Sequence, residues 1–472
     1  MTAERILPIL AGLAGRSRST VYLVGGAVRD LLLGRSPVDL DLLVEGKDAP
    51  FLDELAKLSG FEPALLSRKE PPTHRISIEG WIIDVSACEP DGLTRELARR
   101  DFTVNALAAR LSADPAVLLR GVIDPHGGLA DIERRLIRHV SSRGLDDDPL
   151  RVLRAVRLVV QLQGFDLDPA LEDEIRARAS RLTAAAPERL CGELELILAS
   201  PRAGVGLRRL GEVGLLFPLF PDLAPLAGLR QNRWHSHDAL EHTLLAVQEA
   251  DRLVSEGPSL EAMPALTAEE AEVLKWATVF HDTGKAATAR QDDAGEVHFH
   301  GHETVSSAIA RQALQWYRVS GAKTQRICLL VQHHLRLLLL SAEEGPTHRA
   351  LRRLVHDLGY DTPLVCMLAL ADRAGSGGPD LPARLARLRE VAAAALALME
   401  SEGEAVISPH PLLTGREVME TLGIEPGPRV GAALRWLTRL QIDERLKTRE
   451  DALAVLKSLP SSTLDDLDDE SA

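Results

Sequence analysis

The chain of 472 residues is poor in several things, and each shortage removes a class of protein. Its four cysteines, Cys88, Cys191, Cys328 and Cys366, stand far apart. They form neither a metal-binding pair nor a disulfide framework, so a reduced, cytoplasmic setting is expected. Aromatic residues make up only 3%, which argues against a binder that stacks single-stranded bases along its length. With Leu, Ala and Arg dominant, the same composition favours helix. No apolar run reaches the ~18 residues of a membrane span, and no leader pattern opens the chain. Basic charge is also short, with a formal net charge of −14. That sum conceals a concentration of arginine between Arg95 and Arg157, and an acidic end, Asp465 to Glu470, expected to be disordered.

What is present begins with Val21–Val44. Val21–Val24 reads as a buried strand, Gly25 and Gly26 follow, and Ala27–Leu33 reads as a helix. A strand, a glycine pair and a helix start turn backbone N–H groups toward a phosphate. Val38–Val44 reads as a second strand. Its Asp39 and Asp41, two residues apart, share one face. Two carboxylates beside a phosphate cradle are what two-metal phosphoryl transfer requires. Ile76–Ile78 and Trp81–Val85 read as paired strands joined at Glu79-Gly80. Asp84, inside the apolar second strand, is a candidate third carboxylate, because a buried acid without a partner is costly.

Gly25-Gly26-Ala27-Val28-Arg29-Asp30 with Asp39-Leu40-Asp41 resembles the polymerase-beta-like nucleotidyltransferases, and among them the bacterial-type tRNA nucleotidyltransferases and poly(A) polymerases. Arg99-Arg100-Asp101-Phe102-Thr103-Val104-Asn105-Ala106 matches a further motif of that family, which implies contacts from Arg100, Asp101 and Asn105 to the sugar and triphosphate of a nucleotide. The resemblance implies Mg²⁺ on Asp39 and Asp41, with Gly25, Gly26 and Arg29 on the nucleotide side. Asp124-Pro125-His126-Gly127-Gly128 also resembles a family motif and reads as structural.

Asp147-Asp148-Pro149-Leu150-Arg151 reads as a capped helix start. Asp148 and Arg151, at i and i+3, are expected on one helix face. A carboxylate acceptor beside a guanidinium donor fits the amino donor and ring-nitrogen acceptor shared by cytosine and adenine, and misfits uracil and guanine. The family uses this arrangement as an amino-acid template. Arg154 and Arg157 continue the face, toward triphosphate or RNA.

Residues 230–375 hold most of the histidines. His281-Asp282 at a helix end, with His242 upstream and Asp372 downstream on other helices, can converge on one divalent metal. The pattern resembles the HD phosphohydrolase domain and implies the ligands His242, His281, Asp282 and Asp372, holding a transition metal. His302, His333 and His334 are candidates for a second site or phosphate contacts.

The expected architecture is α+β. A small mixed-sheet head (1–140) precedes a helical neck and body (141–225), a helical HD domain (226–402), a helical element (403–460) and the acidic tail (461–472). The resemblance implies an enzyme that adds C, C and A to the tRNA 3′ end from CTP and ATP, with tRNA as partner and no membrane. Alternatives are an A-adding or CC-adding specialist, a poly(A) polymerase, or an HD phosphohydrolase whose head only binds nucleotide or RNA.

Overall fold

The computed structural model describes residues 3–67, 71–257, 263–342 and 345–458. The acidic tail lies outside the described residues, and so do residues 258–262 of Glu256–Ala268, a stretch whose composition predicts an exposed loop. Two compact units emerge. One runs to Leu194 and takes in Arg209–Leu219; the other holds Glu195–Arg208 and the chain from Phe220 onward.

The first unit is built on a mixed sheet of seven strands: β1 (Thr20–Val24), β2 (Asp39–Glu45), β3 (Ala64–Ser67), β4 (Thr73–Ile78), β5 (Trp81–Cys88), β6 (Ala108–Arg110) and β7 (Val122–Ile123), in the order β3-β4-β5-β2-β1-β6-β7. Among the described strands of this sheet, β2 and β5 run parallel and the other neighbours antiparallel. The alternation in β2 decides which face is which. Leu40 and Leu42 enter a core with Ile83, Val85, Phe51 and Leu55, where Ile6, Leu7 and Leu10 of the Ala3–Ser17 helix also pack. Asp39 and Asp41 turn to the other face, beside Leu43, which packs with Leu93, Leu97 and Ala106 in a second small cluster. Burying the two leucines drives the carboxylates outward, since the pleat allows no other arrangement.

Strands β3, β6 and β7 carry two to four residues each, too few for periodicity to reveal. The β4–β5 hairpin turns on Glu79 (φ 49) and Gly80 (φ 86), both left-handed, as a two-residue turn requires. This turn sets Ile78 opposite Trp81 and hence Arg75 opposite Asp84.

The second unit is helical. The Ala239–Glu256, Ala268–Phe280, His302–Trp316, Gly321–His333 and Thr362–Ser376 helices surround the histidines. Phe220, Trp276 and Phe280 form an aromatic core, with Trp276 and Phe280 stacked at 6.0 Å. The Gly415–Leu422, Pro428–Ile442 and Arg449–Lys457 helices have a core of their own around Val418, Leu437 and Leu456. Ala374–Asp380 departs from the exposed loop its glycine and serine content predicts. The helix continues to Ser376, and Gly377 and Gly378 pack against Trp234 and Ser236.

Candidate active site and metal centre

Asp41 sits opposite Asp84 in the parallel β2–β5 pair, so Asp39, Asp41 and Asp84 share one face of the sheet. Their mutual repulsion is legible in Asp39, whose carboxyl is held above its ordinary pKa by partial burial and by the charges of Asp41 and Asp84. Two guanidiniums offset the cluster. Arg100 Nη1 donates to Asp41 Oδ2 at 2.8 Å, and Arg75 grips both oxygens of Asp84 at 2.7 Å. Gly25 (φ 77) bends the chain between β1 and the Gly26–Leu32 helix. The positive φ favours glycine, and a side chain there would put Cβ 3.1 Å from Arg100 Nη1 and 3.2 Å from Asp41 Oδ2, pressing on that ion pair.

The Arg100–Asn105 segment forms the opposing wall. Buried Asp101 accepts from Arg154 Nη1 (3.0 Å), Asn105 Nδ2 (3.1 Å) and the Phe102 amide (2.8 Å). Burial alone would raise its pKa, but Arg154 and these hydrogen bonds bring it below the usual value. Asn105 Oδ1 in turn accepts from Arg29 Nη1 at 2.5 Å. Between the walls lies an open cleft of about 640 Å³ lined by Gly26, Asp39, Asp41, Arg100, Asp101, Asn105, Arg151, Arg154 and Arg157. Glu193, which the sequence reading overlooked, ties Arg154 (3.2 Å) to Arg157 (2.6 Å) from a distant helix. Arg75 was overlooked as well, although the register of its hairpin predicts its place beside Asp84.

Asp148 requires a correction. It does not share a helix face with Arg151. It is extended (φ −141, ψ 94) between the Ser142–Asp147 and Leu150–Gln161 helices, because Pro149 disfavours helical geometry in the residue before it. Its carboxylate accepts from the Leu150 amide (3.3 Å) and from Arg189 Nη2 (2.9 Å). Arg151 instead donates to the carbonyls of Arg99 (2.8 Å) and Arg100 (3.2 Å). Asp147 ends the earlier helix, within 4.0 Å of Arg143.

Behind this wall, Asp124 accepts from the amides of Gly128 (2.8 Å) and Leu129 (2.9 Å), while buried Asp131 receives Thr103 Oγ1 (2.5 Å) and Arg138. A Cβ on Gly128 would stand 2.2 Å from the Thr103 carbonyl oxygen. Gly128→Ala is therefore expected to destabilise the head by about 1–3 kcal/mol, to be seen as a lower urea midpoint with a raised KM for nucleotide. An unchanged midpoint would show that the backbone yields at no cost.

In the helical unit His242, His281 and Asp372 offer ligand atoms within 4.8 Å of one another, as do Asp282, His302 and His334. All six are buried. Asp282 joins the groups: Oδ2 lies 3.2 Å from Nε2 of both His242 and His281, and Oδ1 lies 3.2 Å from His302 Nε2. His281, His302 and His334 each donate Nδ1–H to a backbone carbonyl at 2.7 Å, those of Thr278, Phe299 and Val331. Their Nε2 lone pairs are thereby left facing inward. Nε2 atoms oppose each other at 3.2 Å (His242–His281) and 3.3 Å (His302–His334). At His302–His334, where both Nδ1 atoms donate to carbonyls, the facing lone pairs repel, and a cation between them relieves this. Burial alone would lower the His281 pKa, yet Asp282 and Asp372 lift it to about 10, while burial and the neighbouring histidines push His334 down to about 3. The donor set of imidazoles and carboxylates fits divalent metal. His333 faces elsewhere, lining a cleft with Arg311 and Arg326. Lys285, 2.6 Å from Asp282, belongs to the centre though the sequence reading gave it no role.

The Poly A polymerase head domain matches residues 21–138, the probable RNA and SrmB-binding site of polymerase A matches 164–226, and the HD domain matches 239–374. The A-adding tRNA nucleotidyltransferase of Deinococcus radiodurans is 35% identical over 447 residues, covering 93% of this chain and 96% of that protein. The CC-adding tRNA nucleotidyltransferase of Thermus thermophilus is 37% identical over 444 residues, covering 92% of each. The Thermotoga maritima CCA-adding enzyme solved with tRNA shares the fold, with a TM-score of 0.56 at 20% identity over 96% of this chain and 94% of that one. The carboxylate face, the arginine-lined cleft and near full-length identity with such relatives lead to one conclusion: this chain is an enzyme of the tRNA nucleotidyltransferase family with an HD domain.

Proposed function

We propose that the head adds C, C and A to the 3′ end of tRNA, drawing CMP and AMP from CTP and ATP with release of pyrophosphate, in the cytoplasm. The observation that carries this reading is the three-carboxylate face opposite an arginine-lined cleft. Asp39 and Asp41 would hold Mg²⁺, which when bound draws the tRNA hydroxyl and the α-phosphate together and stabilises the leaving charge. Asp84, held by Arg75, completes the charge of that face. Arg100, Arg154 and Arg157 steer the triphosphate, and Asp101 with Asn105 orients the sugar. In the second unit the His/Asp centre would hold a transition metal and hydrolyse phosphoesters.

Asp148 supplies the acceptor for the amino group that cytosine and adenine share. Two arginines can supply the donor: Arg189, now on Asp148, and Arg151, now on the Arg99 and Arg100 carbonyls. Asp148→Ala is expected to cost roughly 1.5–3 kcal/mol, or about 10- to 150-fold in selection against UTP. Single-nucleotide incorporation with CTP, ATP, UTP and GTP measures this. Arg151→Ala and Arg189→Ala in the same assay identify the donor, since its loss lowers CTP and ATP use together. Ratios unchanged in the Asp148 mutant would leave that residue only its cap and its ion pair.

A second reading, addition of only CC or only A, is favoured by one observation. The two near full-length relatives described above are specialists of opposite kinds.

A further inference from the structure

The rim of the His/Asp centre carries a cationic surface that neither reaction described above uses. Residues 229–237 form a loop ahead of the Ala239–Glu256 helix, and it is fastened to the end of the Thr362–Ser376 helix. The Ser236 amide donates to the Ser376 carbonyl at 3.0 Å, the Gly378 amide to Ser236 Oγ at 2.7 Å, and Arg384 Nη1 to the Trp234 carbonyl at 3.4 Å. A Cβ on Gly378 would fall 2.4 Å from that Trp234 oxygen, so the two segments meet as closely as backbone allows. The fastening delivers His235 to the metal centre, edge-on to His242 with ring centroids 5.0 Å apart.

It also collects charge. Arg233 and Arg384 lie over the Trp234 ring, 4.9 and 5.0 Å from its centroid. The aromatic face holds guanidiniums without neutralising them. Arg373 follows the ligand Asp372 in the chain. Arg373 Nε and Arg384 Nη2 are buried atoms without a hydrogen-bond partner among the described residues. In a chain of net charge −14 most arginines meet a carboxylate, as Arg349 and Arg353 meet Asp443. These three do not. Buried donors left open, on guanidiniums fixed in place, are the preparation for an anion brought by a ligand. Trp234, 39% exposed in a chain with few aromatic side chains, adds a flat apolar surface beside them.

We infer that the Arg233–Trp234–Arg384 rim, with Arg373, docks the sugar–phosphate backbone of an RNA strand whose 3′-terminal phosphoester enters the His/Asp centre. This rests on the reading of that centre as a phosphohydrolase. In the step concerned, the oxygen of water forms the new P–O bond, a ribose oxygen leaves, and that oxygen takes up the proton. A mononucleotide has one phosphate, and the centre itself takes it. The additional guanidiniums match phosphates further along a strand.

The test uses the full-length protein supplied with divalent metal. Its substrates are a pentaribonucleotide ending in a 2′,3′-cyclic phosphate, the matching cyclic mononucleotide, and p-nitrophenyl phosphate. Arg233→Glu and Arg384→Gln should raise KM for the pentanucleotide about tenfold, with the penalty shrinking as salt rises. Its kcat, and turnover of both small substrates, should change less than about twofold; Trp234→Phe, which keeps a ring, should retain most of the affinity. Equal losses on all three substrates would mean a structural role and overturn the proposal, as would no loss, or a mononucleotide as sensitive as the strand. If the wild type hydrolyses none of them, the phosphohydrolase reading fails. Docking is then decided separately by photo-crosslinking a 4-thiouridine pentanucleotide. Adducts on residues 230–238 that disappear in Arg233→Glu support it, and adducts confined to the head overturn it.

Discussion

Asp39→Ala or Asp41→Ala should lower nucleotide addition at least about 10³-fold, the loss of ~4 kcal/mol of charge stabilisation in the transition state. Affinity for tRNA should be nearly unchanged, because neither side chain belongs to a cationic surface. The sheet gives the reason for so large an effect. Asp39, Asp41 and Asp84 share one face, and Arg100 and Arg75 compensate two of them. Among the described residues Asp39 has no such partner, and its raised pKa reflects partial burial and the crowding. A carboxylate kept in that position without a cation would be costly. Near-normal incorporation by either mutant at saturating Mg²⁺ would remove the assignment of these residues as metal ligands. A rise in thermal stability of Asp39→Ala, with activity lost, is the compatible accompaniment, since repulsion is relieved.

The second large effect belongs to the helical unit. His281→Ala combined with Asp282→Ala should eliminate phosphoester hydrolysis and bound transition metal alike. Asp282 belongs to the group with His302 and His334 and its other oxygen reaches His242 and His281 of the second group, and His281 contributes a lone pair fixed by its Thr278 hydrogen bond. Addition to tRNA should persist within about threefold, because the head carries its own carboxylate face. Metal content by mass spectrometry and hydrolysis of p-nitrophenyl phosphate are the readouts. A double mutant that folds normally and retains its metal would contradict the ligand set. One that folds normally yet loses tRNA addition would show that the two activities are coupled.

How much of this could be read from the residues depended on how local each constraint is. The Val21–Val44 stretch was legible because strand alternation, a glycine pair and two acids two residues apart act over short range. β1 and β2 lie within a residue or two of where hydrophobic patterning puts them. The same holds for the helix end that carries His281, whereas Asp372 lies inside the Thr362–Ser376 helix, which runs on past the point where its glycines predict a loop. The pairing of Asp148 with Arg151 went astray at Pro149. A sequence interval of three is a helical neighbour only if both residues are helical, and the residue before proline is not. The partner that Asp148 does have, Arg189, is 41 positions away, and no local pattern encodes it. Glu193 was invisible for the same reason. Ala374–Asp380 reads as loop from its glycines, yet those glycines are there for close approach to Trp234 and Ser236. Composition cannot separate a glycine that frees the chain from one that lets two backbones touch.

The most direct test of the central claim uses purified full-length protein, Mg²⁺, and tRNAs lacking the whole CCA, its final CA, or only its final A. Each labelled nucleoside triphosphate is supplied in turn, and products are resolved to single nucleotides. The account predicts CMP addition to the first two substrates, AMP addition to the third, completion of the first two when CTP and ATP are present together, and no use of UTP or GTP. Products that stop after CC, or activity only on the tRNA lacking its final A, would contradict full CCA addition and identify a specialist. No incorporation on any of the three would contradict the assignment of the carboxylate face as the site of nucleotide transfer.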